Sequence, residues 1–431
     1  MLMEYSEEKV NKEREFMKQY GYKWEKEIDE NYLQSAKDIT TEVDKKVYYY
    51  TRVNTFHKFA ENGCLWASHI KRMNDWQEFE LGRSHIKKKL MGVAKKEDVS
   101  KLTKEKLKDS TDSAENSMRL DWSSPQFGEG RRFDDYWYSE VYNLSFTTKY
   151  DLLSQWKMYA RESGVAIEFD FSRVSTFWQS AECGETETMD FVQENKLPRR
   201  INYDISKLDQ QLENIINQID LDPDQWVWHM IHLLEQIPFL KHSGFRQEGE
   251  SRLIFRPYKK KEDSKIIHSK VFYRESGHIL VPYLKIYCGV VQDSKPLSAC
   301  IGWPVVSLTV GPGHDQNVVF ESLIHRVEYG VTKFYPFTEE EKTEAKKNYL
   351  LGFLRRFSEH PVLHDLLKNV EQFKTTDFQS QQGIEQFFRI TTNKIRNEPT
   401  IQQEYESYCS DNYLCSNGII IRKSHIPYIF S

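Results

Sequence analysis

Apolar residues along this chain follow two rhythms, period-two alternation and helical spacing, and together they predict an α+β fold: a mixed β-sheet core with covering helices, a helical insertion and a helical C-terminal region. Residues 4–46 are charged and helix-prone and read as an N-terminal helical arm, 1–46. The dense aromatic run from Val47 to Val53 then enters the core, with Asn54 expected to cap a short helix reaching Cys64. A strand is expected at 141–147. Leu152, Leu153, Trp156 and Tyr159 recur at helical spacing over 151–162, Gly164 stops that helix, and a strand follows at 165–171. A second amphipathic helix, 223–242, leads into a strand at 247–256. Further strands are expected at 278–287 and 304–310, and the turn Gly311-Pro312-Gly313 introduces a helix at 317–329. Helices at 339–357 and 381–395 follow, and 418–428 returns as a last strand. The domain reading is therefore an α+β core over 47–330 and a helical region over 331–431 whose last strand returns to the core.

One segment departs from this pattern. Arg83 to Lys108 carries ten Lys or Arg against three acids with few large apolar residues, and reads as an exposed helical arm within a basic insertion, 83–137. Globally the charge is balanced: 60 basic and 65 acidic residues give −5, so no overall field draws the chain to nucleic acid or an anionic membrane. Aromatic residues make up 14% of the chain, so large rings supply much of the burial. The six Cys form no C-x-x-C pair and stand beside no His at ligand spacing, so no metal site is expected. No stretch approaches the roughly 18 apolar residues a membrane span needs, and the charged start lacks a secretion signal's apolar run. These features point to the cytoplasm and to free thiols, with no membrane partner.

The strand at 247–256 is the most informative chemically. Side chains alternate faces along a strand, so Glu248, Glu250 and Arg252 are expected to project together. Two close carboxylates raise one pKa and a nearby Arg lowers it, an arrangement suited to acid/base work and equally to cross-strand ion pairs. Asn74, Asp75 and Glu78 form a second polar cluster, which lines the same cleft or builds a turn and cap. Arg52 leaves the first core strand, where its planar fork suits a phosphate, and Ser145 and Thr147 place two hydroxyls on one strand face. The Gly311-Pro312-Gly313-His314 turn could present backbone N–H groups to an anion, though no complete phosphate-binding motif surrounds it.

Taken in order, Tyr48 to Arg52; Asn74, Asp75 and Glu78; Trp156, Tyr159, Ala160, Gly164 and Val165; and Glu248, Glu250 and Arg252 resemble a bacterial family, the domain-of-unknown-function family 2971. Gly311-Pro312 and Ser424-His425-Ile426-Pro427-Tyr428 fit the same pattern, while Trp76 stands where the family has Pro. A weaker similarity is to ADP-ribosyltransferases, through an Arg on the first strand, hydroxyls on the second and a later Glu-x-Glu strand. That similarity implies an NAD-consuming effector, as in toxins or anti-phage defence, with NAD as substrate and a protein or nucleic acid as acceptor. In it Arg52, with Arg252, Ser145 and Thr147, would hold NAD, Glu250 would be the catalytic carboxylate and Glu248 would orient the acceptor. Trp156 and Tyr159 would line the cleft. The alternatives are a non-catalytic binding or sensor module, with Glu248, Glu250 and Arg252 as a structural ion network, and nucleic-acid binding through the basic insertion. Oligomeric state is not legible in the sequence.

Overall fold

A computed structural model describes residues 43–72, 76–95, 141–161, 163–174, 176–178, 192–193, 197–219, 236–256, 259–262, 265–268, 271–289, 302–372 and 381–426. In chain order the strands are β1 (Lys46–Thr51), β2 (Leu65–His69), β3 (Tyr142–Thr147), β4 (Val165–Asp170), β5 (Thr176–Trp178), β6 (Val192–Gln193), β7 (Arg199–Arg200), β8 (Glu250–Arg256), β9 (Lys259–Glu262), β10 (Lys265–His268), β11 (Phe272–Ser276), β12 (Ile279–Gly289), β13 (Val305–Val310), β14 (Asn412–Leu414) and β15 (Ile420–Lys423). The helices are α1 (Val53–Asn62), α2 (Trp76–Ala94), α3 (Ile205–Ile219), α4 (Gln316–Tyr329), α5 (Glu339–Arg356), α6 (Pro361–Gln372), α7 (Gln381–Asn397) and α8 (Pro399–Asp411). The chain divides into two compact units: residues 1–44, 66–145 and 181–285 form the first, and residues 45–65, 146–180 and 286–431 the second. The expected arm over residues 4–42 and the insertion from residue 96 to 137 lie outside the described residues.

In the first unit, β11 pairs antiparallel with β12, and β2 pairs with β3 in the register Ser68↔Asn143. β8 pairs with β3 and with the short strands β6 and β7. One face of these strands carries Ile70, Val141 and Ile254, which join Ile86 and Leu90 of α2, Leu208 and Leu212 of α3, and Ile237, Phe239 and Leu240 in a single apolar cluster. The part of the basic stretch within α2 is therefore not an exposed arm: Ile86 and Leu90, four residues apart, bury one stripe while the lysines take the other side. Gly82 permits this closeness, since a Cβ there would stand 3.1 Å from Ile237 and 3.2 Å from Leu240. His85 and Lys89 both reach Asp209 of α3, and that carboxylate's pKa is lowered: desolvation raises it, but the hydrogen bonds from His85 and Lys89 together outweigh that.

The second unit is a mixed sheet in the order β1-β4-β13-β15-β14, antiparallel except for the parallel pair β13–β15. Its apolar face, with Phe169, Phe146 and Phe171, packs with Phe59 of α1, Phe177 and Trp303 in a continuous aromatic cluster. Helices α5 to α8 share a core of their own around Phe353, Leu354, Leu363, Phe387 and Ile401, to which Ile420 of β15 contributes. Thr338 and Glu341 close a reciprocal capping box at the start of α5. The expected cap at Asn54 moves two residues earlier: Arg52 occupies the cap position, and Gly63 ends the helix with φ 68°.

Candidate functional site

The expected strand at 247–256 starts late. Residues Ser243–Glu248 form a 3₁₀ turn, Gly249 reverses the chain with φ 54°, and β8 begins at Glu250. Glu250 and Arg252 do share a face of the strand, whereas Glu248 stands on the turn; a glycine in the left-handed region breaks the alternation that would have aligned all three. Lys241 restores the association. Its Nζ donates to Glu248 Oε2 at 2.8 Å and to Glu250 Oε2 at 3.0 Å. The Arg252 guanidinium grips both Glu250 oxygens, at 2.6 and 3.0 Å, and also donates to the Pro238 carbonyl at 2.7 Å.

This network is buried: Glu248, Glu250, Arg252 and Lys241 are each less than a tenth exposed. Desolvation alone would raise the Glu250 carboxyl, but Arg252, then Lys241, then a hydrogen bond from Ser145 outweigh it and push its pKa down to about 2. Tyr203 accepts the Glu250 backbone N–H at 2.9 Å, and its phenol is raised chiefly by burial. The neighbouring strand is pinned on both faces. Arg199, opposite Arg252, donates to Gln236 at 2.7 Å and lies 3.9 Å over Phe239, while Arg200, opposite Ser251, pairs with Asp44 at 2.6 Å.

The face that carries Glu250 and Arg252 extends across β3, β2, β12 and β11. Asn143 and Ser145 share it, with Asn143 Nδ2 donating to Ser145 Oγ at 3.3 Å. Ser68 lies opposite Asn143, and the same register continued by one pleat sets Trp66 across from Ser145. Arg274 of β11 reaches over to Ser68 Oγ at 3.3 Å. Trp66 stacks on Tyr283 with ring centroids 4.5 Å apart, Tyr283 stacks on Phe272 at 5.7 Å, and Lys285 Nζ sits 4.1 Å over Phe272. The apolar end of the face is covered by α2 and α3; at the other end Trp66 is 39% exposed.

Of the residues singled out from the sequence, Glu248, Glu250, Arg252 and Ser145 meet in this one site. Arg52 and Thr147 belong to the second unit. Arg52 is exposed at the start of α1, and Thr147 is buried with its Oγ1 accepting the Lys149 N–H at 3.0 Å. Asn74 and Asp75 lie outside the described residues, and Glu78 lies within α2. Sequence reasoning missed Lys241, Asn143, Ser68, Arg274 and the Trp66–Tyr283–Phe272 row.

Trp156 and Tyr159 sit in the second unit on a π-helix, Trp156–Ala160, rather than on the regular helix expected over 151–162. Trp156 is fully buried edge-on to Tyr50, 4.6 Å between centroids, and Tyr159 is 41% exposed. Asp151, at φ 49°, holds this segment: Trp156 Nε1 donates to its Oδ1 at 2.8 Å, Ser424 Oγ to the same oxygen at 2.6 Å, and the His425 N–H to Oδ2 at 3.0 Å. Arg161 (φ 58°) and Ser163 (φ 51°) add further positive-φ residues before β4. The Gly311–Gly313 turn packs on this segment: Gly311 N–H donates to the Gly164 carbonyl at 2.8 Å, and a Cβ on Gly311 would meet the Trp156 ring at 2.7 Å. Close packing accounts for those glycines.

No group of three or more His, Cys, Asp or Glu among the described residues is placed to hold a metal ion, and no described helix is long and apolar enough to cross a membrane. No curated protein and no solved structure matches the chain. Residues 155–253 match the family model described as Protein of unknown function (DUF2971), and nothing in these comparisons adds to the similarity with ADP-ribosyltransferases. The matched segment takes in both the Trp156–Val165 and the Glu248–Arg252 motifs and ends one residue past Arg252, inside β8.

Proposed function

We propose that this protein is a non-catalytic binding or sensor module whose ligand is met on the Trp66–Asn143–Ser145 face of the first unit, with the Glu248–Lys241–Glu250–Arg252 network as its fixed support. The observation that carries this reading is the engagement of Glu250: both oxygens are taken by cations within a site less than a tenth exposed, and the carboxyl is held at about 2. A carboxylate that stabilises a developing oxocarbenium ion needs an oxygen facing the substrate. Glu250 instead spends its charge on Arg252 and Lys241, as a structural ion network does.

The NAD-consuming reading makes the opposite demands. Incubating the purified chain with nicotinamide-labelled NAD and cell lysate is expected to release no nicotinamide above the protein-free rate, while Glu250→Gln lowers stability. Nicotinamide release by the wild type that disappears in a folded Glu250→Gln variant would overturn the proposal and return Glu250 to the catalytic role.

A further inference from the structure

Three features of the same face remain unused by the ion network. The first is the stacked row Phe272–Tyr283–Trp66, whose last ring is 39% exposed. The second is a pair of half-buried cations, Arg274 and Lys285. Arg274 donates to the Ser68 hydroxyl and Lys285 lies over the Phe272 ring, and among the described residues no carboxylate forms an ion pair with either. The third is Asn143 Oδ1, a carboxamide oxygen on a residue 2% exposed that accepts from no donor among the described residues. A buried acceptor without a donor is costly, so its persistence marks a place where a donor from outside belongs.

Each feature selects part of a ligand. An exposed indole already backed by two rings offers a flat platform to a planar heterocycle, since stacking needs only a π-face. Cations without carboxylate partners favour an anion, and the Arg fork favours phosphate oxygens. A lone carboxamide acceptor asks for an N–H donor. We infer that this face binds a free purine nucleotide, its base on Trp66 with its exocyclic amine directed to Asn143 Oδ1 and its phosphates drawn to Arg274 and Lys285. A single exposed ring offers a place for one base and not for a strand of them, which selects a free nucleotide over single-stranded nucleic acid. The inference rests on the binding-module reading above and names the ligand class of that site.

The test is calorimetric titration of the full chain with ADP, adenosine, inorganic pyrophosphate and a twelve-residue oligodeoxyadenylate, followed by analysis of the recovered ADP. ADP is expected to bind one per chain, with adenosine and pyrophosphate each weaker by tenfold or more. Trp66→Ala is expected to weaken ADP by about tenfold or more, the range stacking supplies, and Trp66→Phe to keep most of the affinity. Arg274→Gln is expected to narrow the difference between ADP and adenosine. Urea unfolding of each variant separates lost binding from lost folding; should Trp66→Ala not fold, the Phe and Arg274 variants carry the test. No binding of ADP, equal binding to folded Trp66→Ala, or tighter binding of the oligonucleotide overturns the inference and leaves the binding-module reading standing. Consumption of the recovered ADP overturns the binding-module reading instead.

Discussion

Replacing Glu250 by Gln removes the one negative charge shared by Arg252 and Lys241 and turns an amide N–H₂ toward two cationic donors. The cost can be approached from two directions. Removing one member of a buried ion pair typically costs about 3–5 kcal/mol, because the partner charge stays buried. Independently, folding holds the Glu250 carboxyl at about 2 against an ordinary 4.5, and that difference corresponds to about 3 kcal/mol of stability at neutral pH. The two agree. A carboxyl whose pKa is depressed by folding contributes fully above its unfolded value and loses that contribution as pH falls toward its folded value, so the term shrinks to about 1 kcal/mol at pH 3. Urea unfolding of wild type and Glu250→Gln, followed by tryptophan fluorescence at pH 7 and pH 3, should show a gap of about 3 kcal/mol that closes to about 1. A gap below about 1 kcal/mol at pH 7, or one that does not narrow at pH 3, would refute the assignment of Glu250 to a buried, cation-clamped network.

Other variants probe the remaining structure through the same unfolding measurement. Asp151→Asn keeps an acceptor for Trp156 and Ser424 but sets an amide against the His425 N–H, and is expected to cost about 1–3 kcal/mol. Gly164→Ala forces a methyl to within 2.5 Å of the Ala160 carbonyl oxygen and 2.8 Å of the Thr51 carbonyl oxygen, neither of which can swing aside; a loss of about 2 kcal/mol or more is expected, and a neutral result would show that the turn opens. Thr338→Ala removes the capping box of α5 and should cost about 1 kcal/mol, with the loss confined to the second unit in amide exchange.

Strands and helices whose apolar pattern is strong were legible in the sequence: β3, β4, β13, α4, α5 and α7 stand within a few residues of where period and caps put them. Two misreadings have physical causes. The lysine-rich start of the insertion looked exposed because charge dominates its composition, yet Ile86, Leu90 and Val93 already held a helical stripe that finds the core. The segment after Asp151 looked like a regular helix because its apolar spacing is helical, but the Asp151 clasp and the tight Gly164–Gly311 contact hold it as a π-turn instead.

The candidate site was half legible, and the division follows from which contacts are local. Glu250 and Arg252 are two residues apart on one strand, so pleating alone brings them together. Lys241 joins them only because a 3₁₀ turn and a left-handed glycine fold the chain back, and no periodicity announces that geometry. Trp66, Tyr283 and Phe272 come from three strands whose order in the sheet is not their order in the sequence. The same pairing that hides them from sequence reasoning also fixes their spacing, because neighbouring strands stand about 4.8 Å apart and stacked rings need nearly that distance. A buried ion pair is weak evidence for added stability but sets register firmly, since slipping β8 by one residue would send Glu250 and Arg252 to the other face and leave Lys241 with Glu248 alone. The network thus does for β8 what a ligand face requires: it holds Ser145, and through it Asn143, in one position beside Trp66.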